Sequence, residues 1–320
     1  MGRGQEAGSP ARKFAAAEAL PKGRVVPVRS KDGIRLHAEV FGPEDGYPIV
    51  LAHGITCALR VWAYQIADLS NDYRVIAFDH RGHGKSAVPP HRHRYSLDIL
   101  AEDLDSVLDA TLAPGERAVI AGHSMSGIAI TSWADRFPDR VPQRVDAVAL
   151  INTTTGDLLR NVKFLPVPPP LADARVRAAG TLLRTFGAAP LLRAVDRPSR
   201  RFVSTIAVGR DADPAIVDFI YELFTSTPPA GRGGWARALV DTLGPEHIGL
   251  KNLTAPTLVI GSTKDRLLPM VSSRHIARTA PNLASFVELP GGHCAIVERP
   301  DDVNKHLRML VESVSRQRSA

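Results

Sequence analysis

The chain has 320 residues, is 44% hydrophobic and 23% charged, and carries a net charge of +7 at pH 7. That length accommodates one large α/β domain with a sizeable insertion, or two domains, and no apolar run reaches the roughly 18 residues a membrane span needs. The basic, alanine-rich start lacks the continuous apolar stretch of a secretory signal, and two cysteines, Cys57 and Cys294, make no disulfide scaffold and suit a reducing, cytoplasmic setting.

Charge is concentrated at the start: residues 1–31 hold seven Lys/Arg against Glu6 and Glu18. Residues 1–24 read as a basic, disordered tail. Such a tail could touch an anionic membrane surface or nucleic acid. No zinc-finger, RNP or helix-turn-helix signature accompanies it, so no nucleic-acid partner is expected and a solvated segment is the plainer reading.

Beyond the tail, Val25–Arg29 and Ile34–Phe41 are predicted to be an antiparallel pair joined at Lys31-Asp32-Gly33. Pro48–Ala52 is a buried strand, Trp62–Leu69 a helix and Tyr73–Phe78 the next strand. Ser96–Thr111 carries Leu97, Ile99, Leu100, Leu104, Val107 and Leu108 as a helical face, with Ser96 as its cap. Arg117–Ala121 is a short strand, Ile128–Phe137 a helix and Val145–Asn152 a strand. After a break come a strand at Pro256–Ile260, a helix at Met270–Thr279, a strand at Ala284–Leu289 and a helix at Asp301–Ser315. Strands alternating with helices argue for a mostly parallel sheet with helices on both faces.

The break, 155–251, opens on Leu165-Pro166-Val167-Pro168-Pro169-Pro170, where the prolines remove the donors a central strand needs. Leu182, Leu183, Phe186, then Leu191, Leu192, Val195, then Ile216, Phe219, Ile220, Leu223 and Phe224 follow at helical spacing. A helical insertion of this kind reads as a cap over the site, with 25–154 and 252–320 as the core. Between Leu171 and Arg201 it carries seven arginines against two aspartates, which either favours an acidic or surface-bound substrate or is a solvated helix face.

Gly122-His123-Ser124-Met125-Ser126-Gly127 lies between a strand and a helix, hemmed by small residues, and reads as a nucleophile elbow. It departs from G-x-S-x-G at one place: Ser126 stands where the second glycine is expected. A serine nucleophile needs a base and a group that orients it. Asp265 follows the strand Pro256–Ile260, and His293 follows Ala284–Leu289, where the C-terminal ends of strands gather such groups. Asp157, after the sixth strand, is the alternative acid. For an oxyanion hole, Met125 offers one N–H, and the turn His53-Gly54-Ile55-Thr56 offers that of Ile55. His53 and Gly54 shape that turn.

These motifs resemble the α/β-hydrolase superfamily: His53-Gly54, then Asp79-His80-Arg81-Gly82-His83-Gly84-Lys85-Ser86, the elbow, Asp265 and Gly292-His293, in the order Ser, Asp, His. The elbow is most similar to those of monoacylglycerol lipases and bacterial carboxylesterases. The resemblance implies an α/β-hydrolase fold with a helical cap, and a serine hydrolase cleaving lipid-like or medium-chain carboxylic esters. It further implies Ser124, Asp265 and His293 as the triad, Ile55 and Met125 as oxyanion donors, and no cofactor. Relatives that open epoxides or displace halides carry an aspartate where Ser124 stands, which argues against both chemistries. A thioesterase, a carbon–carbon bond hydrolase and a cofactor-free perhydrolase use the same triad, and a non-catalytic binding protein of this fold is a further alternative. His80, His83, His91 and His93 fit no metal-ligand spacing, so no metal is expected. Asp79 and Arg81 are expected to hold the loop after the fourth strand. Cys57 and Cys294 are read as core-packing thiols rather than a redox pair.

Overall fold

Valine, isoleucine, leucine and alanine run almost unbroken through the central strands because both faces of those strands are covered. β3 (Pro48–Ala52), β5 (Ala118–His123), β6 (Val145–Ile151) and β7 (Thr257–Ser262) are buried at every position. The structure, a computed structural model, describes residues 20–91, 94–162, 169–189, 196–209 and 211–318.

With β1 (Arg24–Arg29), β2 (Arg35–Phe41), β4 (Arg74–Asp79) and β8 (Leu283–Leu289), the strands form one sheet in the order β1-β2-β4-β3-β5-β6-β7-β8. β2 runs antiparallel to both β1 and β4, and every pair from β4 to β8 is parallel. Strand addition reverses at β3, which lies between β4 and β5. At such a switch point the loops leaving neighbouring strands diverge and open a crevice for a ligand. Ala52 of β3 pairs with Gly122 of β5, so the turn at 53–56 and the elbow at 124 flank that crevice.

Helices α1 (Ala63–Leu69), α2 (Leu97–Thr111), α3 (Met125–Arg136), α8 (Met270–Thr279) and α9 (Pro300–Arg318) cover the sheet. Their apolar stripes make two core layers, one on each face. Ser96 caps α2, accepting the Ile99 N–H at 3.2 Å. Trp62, Trp133 and Trp235 are wholly buried; truncating one such side chain to alanine costs about 3–5 kcal/mol.

Between β6 and β7 the described residues include α4 (Ala172–Phe186), α5 (Asp196–Ala207), α6 (Pro214–Ser226) and α7 (Pro229–Thr242). α7 docks on the loop after β4: Trp235 Nε1–H donates to Arg81 O at 3.0 Å and meets Tyr95 edge-on with ring centroids 5.2 Å apart. The approach demands Gly231, where a Cβ would run into the Gly82 carbonyl.

Element ends differ from the sequence expectation by one to three residues, and two of these differences bear on the site. β5 continues to His123 and α3 begins at Met125, so Ser124 alone connects them. The first turn of α3 is built of Met125, Ser126 and Gly127, of which only Met125 is apolar, so no apolar period starts there for the sequence to show. Residues 1–19, 163–168 and 190–195 lie outside the described residues, and with them most of the expected tail, the start of the proline run and Leu191, Leu192 and Val195. Among the described residues no helix is long and apolar enough to cross a membrane.

Candidate active site

Ser124 sits at φ 54°, ψ −117°, a backbone conformation that costs a non-glycine residue on the order of 1–3 kcal/mol. Surrounding bonds hold it there. Its N–H donates to Ile151 O at 3.0 Å, and its carbonyl accepts from Gly127 N–H at 3.0 Å and Thr153 Oγ1–H at 2.7 Å. Gly127 is needed because a Cβ there would fall within the Thr153 side chain. Ser124 faces the turn after β3: a Cβ built on Gly54 would lie 3.0 Å from that of Ser124.

Asp265 and His293, 28 residues apart, meet at the ends of β7 and β8: His293 Nδ1–H donates to Asp265 Oδ2 at 2.8 Å. The other carboxylate oxygen accepts the Leu267 and Leu268 N–H groups at 2.9 and 2.8 Å. Asn152 Nδ2–H adds a bond to Oδ2 at 3.0 Å. With Nδ1 protonated by this arrangement, Nε2 is the nitrogen left as a base. Asp157, the alternative acid, lies elsewhere, 3.8 Å from His247 and with its N–H on Gly244 O. Ser124 and His293 are both buried, 5% and 4% exposed. Among the described residues no hydrogen bond joins Ser124 Oγ to His293; contacts of this kind tighten when substrate binds.

The Ile55 and Met125 N–H groups have no acceptor among the described residues. Around them the turn is pinned. His53 Nε2 accepts the His80 N–H at 3.1 Å, which leaves the proton on Nδ1 to donate to Gly54 O at 2.7 Å. A trans peptide points its N–H opposite to its C=O, so tethering Gly54 O turns the Ile55 N–H away from His53. His83 Nε2 accepts the Thr56 N–H at 3.0 Å. Burial pushes His53 down to about 4 and His83 to about 3, so both rings are neutral at pH 7.

The model of the alpha/beta hydrolase fold family matches residues 47–300. The chain belongs to that family. Among curated relatives it is 27% identical to bifunctional epoxide hydrolase 2 of Mus musculus over 310 residues, covering 88% of this chain and 54% of the relative. It thus spans about half the length of the first relatives it matches. The non-heme chloroperoxidase of Streptomyces lividans is 27% identical over 303 residues, covering 89% of this chain and 99% of the relative. A thermophilic esterase from Thermogutta terrifontis superposes with a TM-score of 0.68 at 24% identity, covering 92% of this chain and 99% of that one.

Other residues of this α/β hydrolase brace the site. Arg81 is buried and grips Asp103 through two bonds of 2.6 Å and Asp32 through two of 2.9 Å. Asp79 accepts the Leu59 and Lys85 N–H groups at 2.7 and 2.8 Å. The rings of His53, His80 and His83 cluster, with centroids 4.8–6.5 Å apart, but hydrogen bonds occupy both nitrogens of His53 and of His83. His93 lies outside the described residues. Cys57 and Cys294 are unpaired and share one apolar cluster, where burial pushes Cys57 up to about 12. Two residues the sequence reading did not single out reach the site. Asn152 bonds Asp265, and His123 Nε2–H donates to the His293 carbonyl at 2.9 Å. For Asn152 the only signal was its place at the end of β6, beside β7.

Proposed function

We propose that this protein is a serine hydrolase that cleaves carboxylic esters through an acyl-enzyme. The observation that carries the reading is the Asp265–His293 bond of 2.8 Å, set across the crevice from a strained Ser124 that two unused backbone N–H groups flank.

In this reading His293 Nε2 takes the proton of Ser124 Oγ as it attacks the ester carbonyl, while Asp265 holds the ring and stabilises its charged form. The Ile55 and Met125 N–H groups receive the oxyanion. The tetrahedral adduct expels the alcohol, protonated by His293. Water, deprotonated by the same nitrogen, then releases the acid and restores Ser124. A serine at position 124, where epoxide-opening members of the family carry aspartate, favours ester over epoxide chemistry. The helices between β6 and β7 act as a cap. Trp235, Ala238 and Leu239 of α7 and Leu243 beyond it pack in one apolar cluster with Ile55 and Met125, which favours an apolar acyl or alcohol group. In this reading a bulky ester enters as those helices shift.

Rates on p-nitrophenyl esters from acetate to palmitate, with Ser124→Ala alongside, test the proposal. Turnover that drops about 10⁴-fold or more in the variant supports it. Absence of turnover above the variant at every chain length refutes it. The likeness to a non-heme chloroperoxidase favours a second reading, in which hydrogen peroxide rather than water takes the acyl group and leaves as a peracid. Peracid formed when peroxide is added to the ester assay would reveal that partition.

A further inference from the structure

Ser126 is the residue at which the elbow departs from its expected pattern, and its hydroxyl is wholly buried. Ser126 Oγ–H donates to His53 O at 2.5 Å, across 73 residues of sequence, and accepts from His80 Nε2–H at 2.6 Å. The proton of His80 therefore resides on Nε2, and its Nδ1 is a bare nitrogen with no partner among the described residues. Ser126 follows Met125 on α3, while His53 begins the turn that carries Ile55. One hydroxyl thus ties the strand-end turn to the helix start, and each of those two pieces bears one of the unused amides. Glycine at this position offers neither bond.

We propose that the Ser126 hydroxyl, steadied by His80, sets the separation of the Ile55 and Met125 amides and is a positioning residue of the oxyanion hole. This rests on the serine-hydrolase reading. Three groups of the turn are pinned: His53 O by Ser126, Gly54 O by His53, and Thr56 N–H by His83. Of these tethers only the first crosses to α3. Loosening it lets the turn drift from the helix without touching Ser124, Asp265 or His293. Because the amides matter most when the carbonyl oxygen carries charge, the loss falls on the transition state and not on substrate binding.

The test is Ser126→Ala and Ser126→Gly, assayed on p-nitrophenyl butyrate and titrated with phenylboronic acid, which forms a tetrahedral adduct on a nucleophilic serine. Both variants are expected to lose about 10- to 30-fold in kcat with KM within about twofold, and to bind the boronate more weakly by the same factor. A merely structural serine would not move kcat and boronate affinity together at constant KM. A kcat within twofold of wild type, or a boronate affinity that does not follow kcat, overturns the proposal. If neither variant folds, His80→Phe removes the bond behind Ser126, and an unchanged kcat there overturns it equally. Fluorophosphonate labelling of the wild-type protein separates the two levels. An unlabelled Ser124 refutes the serine-hydrolase reading, whereas a labelled Ser124 with unaffected Ser126 variants refutes only the positioning.

Discussion

On one side of the crevice, Ser124 and the 53–56 turn rest on the sheet and on neutral imidazoles sealed beneath it. On the other, Asp265 and His293 lean on the helices inserted between β6 and β7. Glu298 Oε2 accepts the N–H of Gly209, just past α5, and that of Gly292, just before His293, both at 2.9 Å. Cys294 N–H donates to Ala207 O at 2.9 Å. In the proposed mechanism, the hydrogen bonds that hold the nucleophile half come from within the core, with α7 adding only apolar packing on Ile55 and Met125, whereas the acid–base half is tied by hydrogen bonds to the end of α5. Preorganisation matters most where charge develops on a carbonyl oxygen, because fixed dipoles need no reorganisation at that moment. A histidine that shuttles a proton tolerates some play.

The largest test of this contrast is the acid stability of the nucleophile half. His53, His83 and His123 are held neutral by burial, titrating near 4, 3 and 3, and His80 lower than its ordinary value as well. In the unfolded chain each takes a proton near 6.5. Below that pH the unfolded state binds more protons, so this contribution is fully present above about 6.5 and is lost as the pH falls toward 4. Asp103, raised by burial to about 6, and Asp79 and Glu298, also raised, take up protons in the folded state and offset part of the loss. The net expectation is a fall of roughly 1 to 4 kcal/mol per pH unit between about pH 6 and 4.5. Urea midpoints at pH 8, 7, 6 and 5 measure it. A midpoint independent of pH would mean that the imidazoles are not sealed from water and that the two halves are alike.

The next test concerns the tie between the halves. His123 adjoins Ser124 on β5 and holds the His293 carbonyl at 2.9 Å, with ring centroids 4.9 Å apart. His123→Phe keeps the ring and removes the donor. One neutral hydrogen bond is worth about 0.5–1.5 kcal/mol, so kcat is expected to fall about 3- to 10-fold with little change in melting temperature. An unchanged kcat would show that the backbone alone aligns the two halves.

The sequence disclosed the contents of each half better than what holds them. Alternating runs marked the strands, and Ser124, Asp265 and His293 were read just past three strand ends, which is where the structure places them. Asn152, His123 and the Glu298 bridge stayed hidden because each acts on a partner 89–170 residues away. Spacing along a chain reports faces of helices and strands, not which loop ends meet. Ser126 was visible only as a departure from a pattern. Its meaning needed the position of His53 and His80, which the order of β3, β4 and β5 in the sheet supplies.

The smallest effect expected is also the one that separates the halves most directly. Glu298→Gln keeps an oxygen able to accept from Gly209 and Gly292, so turnover on a short ester is expected to change less than about twofold. Glu298→Ala removes the acceptor from both N–H groups and uncouples the loop before His293 from the end of α5, so a loss of about 3- to 5-fold is expected. That loss should shrink as the acyl chain lengthens, because a long ester displaces the helices and breaks the bridge in the wild-type protein as well. Rates of both variants across the p-nitrophenyl series read this out. Equal losses at every chain length would mean that Glu298 supports His293 without regard to the helices. The acid–base half would then be as self-contained as the nucleophile half, and the play attributed to it would have to be sought in the histidine loop alone.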